Sequence, residues 1–408
     1  MTYSANEILD LSLDIGLNLL KAGAEIKRVE DTIKYVAQAY GASSIDVFAI
    51  PTLIIATITV GEESSTSKIK RNGAVNTDLY LLEKYNQLSR SIVKEKPSIS
   101  TIKAQIAKIK NYKDYNILIR FLGALMTSFG FTLFFGGSWL DALASLIVAF
   151  VMMLFITFAK KSFNQLVHTL IASLIGGIFS VIVCWLHIGE HLNSVMIGVI
   201  MLVIPGLSIG TSIRDILSDD VLSGSVRLFQ ATVTSMAIAA GFSICTKLYG
   251  GEIAYMQVPS YPIIIVSGII GTLGYAILFN IKYKRIWVVG LGGLLTSLLY
   301  GLLVSRLNTF LAVLCCSLLT SIFSEICARI FKAPTTVFLL PSIIILVPGA
   351  ALFYAMYYLI NARYSQFTSS LLSTLLASLA IAVGIILISV LTTIIFKIIT
   401  LIKKKKMA

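Results

Sequence analysis

Hydrophobic positions change their spacing twice along the chain. Ile8, Leu11, Ile15 and Leu19, then Ile26, Val29, Ile33 and Val36, recur every three or four residues. That spacing predicts two amphipathic helices, separated by a turn at Gly23. The opening segment carries Glu7, Asp10 and Asp14 among its apolar residues and lacks a basic leader, so it reads as a helix and not a signal peptide. After Gly41 the pattern becomes β-branched. Segments 43–48, 52–60 and 64–70 predict three strands of an antiparallel sheet, punctuated by Pro51 and by a turn at Gly61, Glu62 and Glu63. Helical spacing returns over 77–93 and 98–113. The expected order is ααβββαα, a small α+β head over residues 1–115.

From residue 116 the periodic signal gives way to near-continuous apolar runs. A membrane helix needs about 20 mostly apolar residues. Ten segments qualify: 117–135, 139–159, 166–186, 193–217, 227–248, 261–280, 286–304, 309–330, 336–360 and 370–396. An even number of spans brings both chain ends to one side. The expected fold is a polytopic α-helical membrane protein, ten transmembrane helices attached to the α+β domain.

Composition and charge sharpen this. The 408 residues are 57% hydrophobic and 13% charged, with a mean hydropathy of +0.88, against about 25% charged in ordinary soluble domains. Residues 1–115 hold 15 Lys/Arg and 13 Asp/Glu, whereas residues 116–408 hold 18 and 7. A soluble head on a membrane body follows; a single-domain cytosolic enzyme, a disulfide-stapled secreted protein and a disordered chain are excluded. With the head inside, inner loops and ends take 15 of the body's basic residues, among them Arg120, Lys160, Lys161, Arg214, Arg285 and the run 403–406. The outer ends keep Lys247, Arg306 and Arg363. This split predicts that both termini are cytoplasmic, in a multi-pass protein expected in the plasma membrane.

Cys184, Cys245, Cys315, Cys316 and Cys327 lie in apolar segments without CxxC spacing, so they read as small hydrophobes. The head holds no histidine, Walker loop or GxSxG motif, which makes a membrane-anchored hydrolase-like enzyme carried by the N-terminal domain the weaker alternative. No catalytic residue, metal, cofactor or nucleic-acid partner is expected.

The body repeats itself. Val203-Ile204-Pro205-Gly206 is matched by Leu346-Val347-Pro348-Gly349, 143 residues later. In each copy a glycine follows the proline by 36 residues, at Gly241 and Gly384, and Phe129-Gly130-Phe131 is echoed by Leu273-Gly274-Tyr275. Five spans per copy, an odd number, turn the second copy over. The reading is two inverted five-helix repeats, 116–250 and 251–408, an arrangement of many secondary transporters.

Each Pro-Gly pair falls midway along a span. Proline removes one helical hydrogen bond and obstructs another, and in hydrocarbon the freed carbonyls need protein or a wet cavity. Two such breaks at equivalent depth predict a central site built on Pro205, Gly206, Pro348 and Gly349, with packed kinks as the structural alternative. Ser208, Thr211, Ser212, Arg214 and Asp215 follow the first break; Phe353, Tyr354, Tyr357 and Tyr358 follow the second. One hydrogen-bonding wall and one aromatic wall suit a small polar or zwitterionic solute, with Ser208, Thr211 and Tyr354 lining it.

Ionisable groups within spans are costly and mark function. Glu325, one turn before Arg329, is the candidate proton carrier, with a plain ion pair as the alternative. Arg214, Asp215, Asp219 and Asp220, after the first broken helix, form a candidate inner gate, with a solvated loop as the alternative. Asp141, three residues after Ser138, reads as a capping box, and His168 as a proton relay or a hydrogen-bonded interface residue. In the head, Glu25, Arg28 and Thr32 share a helix face with Glu30 and Asp31 on its flank, either a charged site or an i,i+3 ion pair.

The run Gly23-Ala24-Glu25-x-x-Arg28-Val29-Glu30-Asp31, the lysine-rich helix before ten spans, and a Pro-Gly in each half resemble the threonine/serine exporter family. Val203-Ile204-Pro205-Gly206-Leu207, followed by Arg214-Asp215-Ile216-Leu217-Ser218-Asp219, is the second specific part of the likeness; around the other break Pro348-Gly349 and Tyr354-Ala355-Met356-Tyr357 carry it. The resemblance implies a cytoplasmic N-terminal domain, ten spans, and efflux of small amino acids driven by the proton-motive force. Relatives split into two polypeptides are linked to succinate export. The expected function is a secondary active transporter exporting threonine- or serine-like amino acids by proton antiport. A dicarboxylate exporter, with Arg214 as the anion partner, is the alternative in the same class. Expected partners are the solute, protons and the lipid bilayer, with homo-oligomerisation left open.

Overall fold

A computed structural model describes residues 3–61, 64–73, 76–112, 115–159, 164–249 and 259–407. Glu62, Glu63, Lys113, Lys160 and Lys161 lie outside them, as do the side chains of 400–407. The head runs α1 (Ala5–Lys21), α2 (Ile26–Ala39), β1 (Ser44–Ile50), β2 (Leu53–Val60), β3 (Ser64–Arg71), α3 (Leu79–Glu95) and α4 (Ile99–Lys110). This is the expected ααβββαα order.

Local chemistry sets the boundaries. Ser4 and Glu7 form a capping box at the start of α1. Gly23, at φ +87°, makes the sharp turn into α2, a conformation glycine adopts without steric cost. Helix α3 starts two residues later than the spacing suggests because Asp78 caps it, accepting from the Leu81 N–H at 2.8 Å. The antiparallel sheet has order β1-β2-β3, with Ser44 opposite Thr59 and Leu53 opposite Arg71. Ile54, Ala56 and Ile58 of β2 turn inward, so one face covers the helices and the other meets water.

The body comprises α5 (Ile117–Phe134), α6 (Trp139–Phe158), α7 (Gln165–Trp185), α8 (Leu192–Ile200), α9 (Gly206–Leu217) and α10 (Val221–Tyr249). It continues with α11 (Tyr261–Leu278), α12 (Tyr283–Leu303), α13 (Thr309–Ile330), α14 (Thr335–Ile343), α15 (Gly349–Ile360) and α16 (Tyr364–Met407). Among the described residues, eight helices are long and apolar enough to cross a membrane. The pair α14 and α15, joined by a 3-10 turn over Ile344–Leu346 and bent by 52°, makes a ninth if it crosses as one broken span and is otherwise a re-entrant loop. The expected span 193–217 is two short helices, α8 and α9, split at residues 201–205. Neither helix reaches 18 residues by itself and the break between them is longer than four residues, so the helices that cross by length and apolarity number eight or nine where the sequence suggested ten. The protein is a polytopic helical membrane protein.

Close contacts in the body come in matched pairs. A Cβ at Gly130 would lie 2.6 Å from Gly271 N and 2.9 Å from Ser267 O; one at Gly274 would lie 2.6 Å from Thr127 N and 2.8 Å from Gly123 O. Gly241 abuts Ser173, and Gly384 abuts Ser317. Helix α9 packs on α16 while α15 packs on α10. Tyr115, just before α5, donates to the Ile281 carbonyl just after α11 at 2.5 Å, so these two helices run antiparallel.

The head is seated on one end of the body. The Leu79 N–H donates to the Phe279 carbonyl at 2.9 Å, Asn280 Nδ2 donates to Asp78 at 3.0 Å, and Arg285 pairs with Glu83 at 2.8 Å. One apolar cluster runs from Ile54 and Leu82 in the head into Val288, Cys327 and Phe338 of the body.

Candidate functional site

Both prolines stand at the start of a half-helix in nearly the same backbone conformation. Pro205 has φ −81° and ψ 42° at the head of α9; Pro348 has φ −77° and ψ 49° at the head of α15. At the second break the Gly349 N–H donates to the Val347 carbonyl at 2.7 Å, an inverse γ-turn. The two interruptions touch. A Cβ at Gly206 would sit 2.6 Å from Val347 Cγ1 and 3.5 Å from Gly349 Cα, and one at Gly349 would sit 3.1 Å from Ile204 Cγ2. Backbone freed by the first break finds a partner in the other half, because the buried Tyr275 hydroxyl donates to the Met201 carbonyl. Tyr275→Phe should lower stability by about 1–3 kcal/mol by leaving that carbonyl unpaired. Thermal unfolding in detergent measures this, and an unchanged midpoint contradicts the assignment.

Cavities lie on either side of the contact. Towards the head, a cavity of about 180 Å³ is lined by Pro205, Gly206, Ser208, Tyr275 and Val347. It shares Thr77, Val203, Pro205, Leu207 and Ser208 with a second of about 310 Å³ that reaches the head–body junction and Thr211. On the far side, about 410 Å³ is enclosed by Phe134, Tyr300, Pro348 and Tyr354 among others. The hydrogen-bonding residues Ser208 and Thr211 and the aromatic Tyr354, expected around one chamber, therefore face separate chambers, while Phe353, Tyr357 and Tyr358 are packed in an apolar cluster with α10 and line none of these cavities. Gly206 and Val347 close the space between them. Thr211 spends its hydroxyl on the Leu207 carbonyl at 2.9 Å.

The charged residues gather at the head-side mouth, where head meets body. Arg214, at the end of α9 and only 10% exposed, lies 3.2 Å from Glu25 and 3.8 Å from Asp215. Arg28 lies 3.8 Å from Glu25, and Arg227 lies 3.1 Å from Asp215. Burial raises the Glu25 pKa, but the Arg214 and Arg28 guanidiniums outweigh it and hold the carboxyl at about 2. Glu25, Arg28, Arg214 and Asp215 border a cavity of about 440 Å³ whose other walls include Ser321, Glu325 and Thr336. Glu325 pairs with Arg329 at 2.6 Å and accepts from Thr335 at 3.0 Å.

The head motif divides by role. Glu25 and Arg28 reach the mouth. Glu30 instead accepts from the Ala49 N–H at 2.9 Å, bracing β1, and its carboxyl is raised, chiefly by burial. Asp31 borders a cavity of about 600 Å³ between α2 and α3 in the head. Asp141 accepts from the backbone of Glu190 and His191, both at 2.7 Å, besides capping α6 with Ser138. It is structural. His168 stacks on Phe155 at 5.1 Å. Tyr275 and Arg227 were missed as site residues. The echo of Phe131 by Tyr275 was a usable signal; for Arg227 the sequence offered only its place near a span end.

Models of the threonine/serine exporter family match residues 10–249 and 264–391. The chain belongs to the threonine/serine exporter family. Over 373 residues it is 21% identical to a threonine/serine exporter of Corynebacterium glutamicum, covering 87% of this chain and 76% of that protein. It is 22% identical over 184 residues to an uncharacterized protein of Schizosaccharomyces pombe, covering 43% of this chain and 22% of that one. No solved structure matches it. As a member of this exporter family with eight or nine apolar crossings, the protein is a multi-pass membrane transporter.

Proposed function

We propose that this family member exports threonine, serine or a similarly sized polar amino acid across the plasma membrane by alternating access and proton antiport. The observation that carries the reading is the contact of the two Pro-Gly interruptions between a head-side and a far-side cavity. A solute held there by half-helix backbone groups is exposed to one side at a time as the halves rock. Pro205, Gly206, Ser208, Thr211, Pro348, Gly349 and Tyr354 form the path.

Two inverted five-helix units, 116–250 and 251–408, make up ten spans if α8 with α9 counts as one broken span. The matched contacts support this, since residue pairs exchange across an approximate two-fold: Gly130 meets Ser267 and Gly271, and Gly274 meets Gly123 and Thr127. The antiparallel course of α5 and α11 supports the inversion. The excess of basic residues at the head-facing ends supports cytoplasmic termini. Residues 1–115 then act as a cytoplasmic cover whose Glu25 latches Arg214, and the mouth opens when that latch parts. Glu325, at the inner end of α13 and facing the charged cavity, exchanges the coupling proton. Dicarboxylate export is not favoured, because the arginine it needs is already held between Glu25 and Asp215.

Efflux from proteoliposomes with an imposed pH gradient tests the reading. Labelled threonine and serine should leave faster than succinate, and collapse of the gradient should stop net transport. Glu325→Gln should remove the response to the gradient while threonine–threonine exchange continues. Preference for succinate, or net efflux indifferent to the gradient, contradicts it.

A further inference from the structure

The geometry points to a loading site for a small hydroxy-amino acid in the cavity of about 310 Å³ between the head and the first broken span, with Arg227 receiving the carboxylate. The inference rests on the export reading for the solute's identity and adds where that solute is first held. Head residues Pro51, Thr52 and Gly73 form one wall, and Ser208 of α9 with Gln230 and Thr234 of α10 form the other. Among the described lining residues Arg227 is the one charged group.

Arg227 is already fixed in place. One guanidinium nitrogen lies 3.1 Å from the buried Asp215 carboxylate, and the other, Nη2, has no partner. A guanidinium anchored along one edge offers its remaining N–H groups to a second carboxylate in a defined plane. The Ser208 hydroxyl and the Gln230 amide make no hydrogen bond to the protein among the described residues. Their oxygens can accept from an ammonium, and either can pair with a side-chain hydroxyl.

Charge count sets the ligand class. One available cation satisfies one carboxylate, and a second carboxylate in this cavity would lose water without gaining a partner. The site therefore selects an amino acid over a dicarboxylate. It also gives the head a role, since the head supplies one wall and the site is complete only while the head is docked. Ser208 and Pro205 line both this cavity and the one at the break, so the solute passes along a shared wall to the interruption.

The test is equilibrium binding of labelled L-threonine to the full chain in nanodiscs, with L-serine, L-threonine methyl ester and succinate as competitors. Arg227→Lys keeps a cation for Asp215 but loses the second guanidinium edge, and should weaken threonine binding by about tenfold. Gln230→Leu, at an exposed position, should weaken it several-fold with unchanged thermal stability. L-serine should compete, and the ester and succinate should not. If threonine binds the wild type and both variants equally, or the ester competes as well as the acid, the loading site is overturned while the export reading stands. If neither hydroxy-amino acid binds the wild type, the loading site is also overturned, and the efflux experiment judges the export reading separately.

Discussion

Gly206→Val should stop export while leaving the protein in the membrane. The Cβ alone would sit 2.6 Å from Val347 Cγ1 and 3.5 Å from the Gly349 Cα, and valine adds two methyl groups where the interruptions meet. Overpacking of this kind costs about 1–3 kcal/mol, and here the strain falls on the surface along which the two halves must move. A barrier raised by about 1.4 kcal/mol slows a rate about tenfold, so efflux per molecule should fall by at least that. Gly349→Leu, whose Cβ would lie 3.1 Å from Ile204 Cγ2, should behave alike. Gly210→Ala is the control on the same helix, because its nearest neighbour, Ile381 Cγ2, is 3.9 Å away. Efflux normalised to membrane protein is the measurement. Wild-type rates in Gly206→Val would show that the interruptions do not move against each other.

Loss of the ion pair between Glu25 and Arg214 should loosen the head. Removing one partner of a fully buried pair costs about 3–5 kcal/mol. Glu25 keeps 28% exposure and Arg214 retains Asp215 at 3.8 Å, so Glu25→Gln or Arg214→Gln should each cost less than a fully buried pair would, about 1–3 kcal/mol. Their coupling in a double-mutant cycle should be about 0.5–2 kcal/mol, read as hydrogen-exchange protection of the head-facing ends of α9 and α10. The pH dependence has a definite sign. The Glu25 carboxyl is lowered from 4.5 to about 2 against the pull of burial, because Arg214 and Arg28 favour its ionised form. Its contribution to docking is therefore complete above about 4.5 and is lost as pH falls through about 2. Docking should be flat through the neutral range, and Glu25 is thereby unsuited to carry the coupling proton. Additive single mutants, or docking that titrates near neutrality, would contradict the latch.

Local signals were legible wherever the chain's own chemistry decided the outcome. The head's element order followed from spacing because its helices and strands each bury one face, as Ile8, Leu11 and Ile15 do in α1 and Ile54, Ala56 and Ile58 do in β2. The Pro-Gly breaks were readable because a proline in a membrane helix disrupts it whatever surrounds it. Span counting was less secure at 193–217, where hydropathy is averaged over a break that leaves two short helices. The head motif was visible as a motif, but nothing local separates Glu30, which braces a strand, from Glu25, which reaches into the body.

By itself the sequence determined the membrane class, the element order of the head, the two Pro-Gly breaks and the family. These depend on composition and on covalent constraints that act within a few residues. Tertiary structure alone decided that the interruptions touch, that Ser208 and Tyr354 face separate cavities, and that Glu25 of the head clasps Arg214 of the body. Those outcomes join segments far apart in the chain, through contacts set by how closely glycine-bearing helices approach and by which charges are removed from water together.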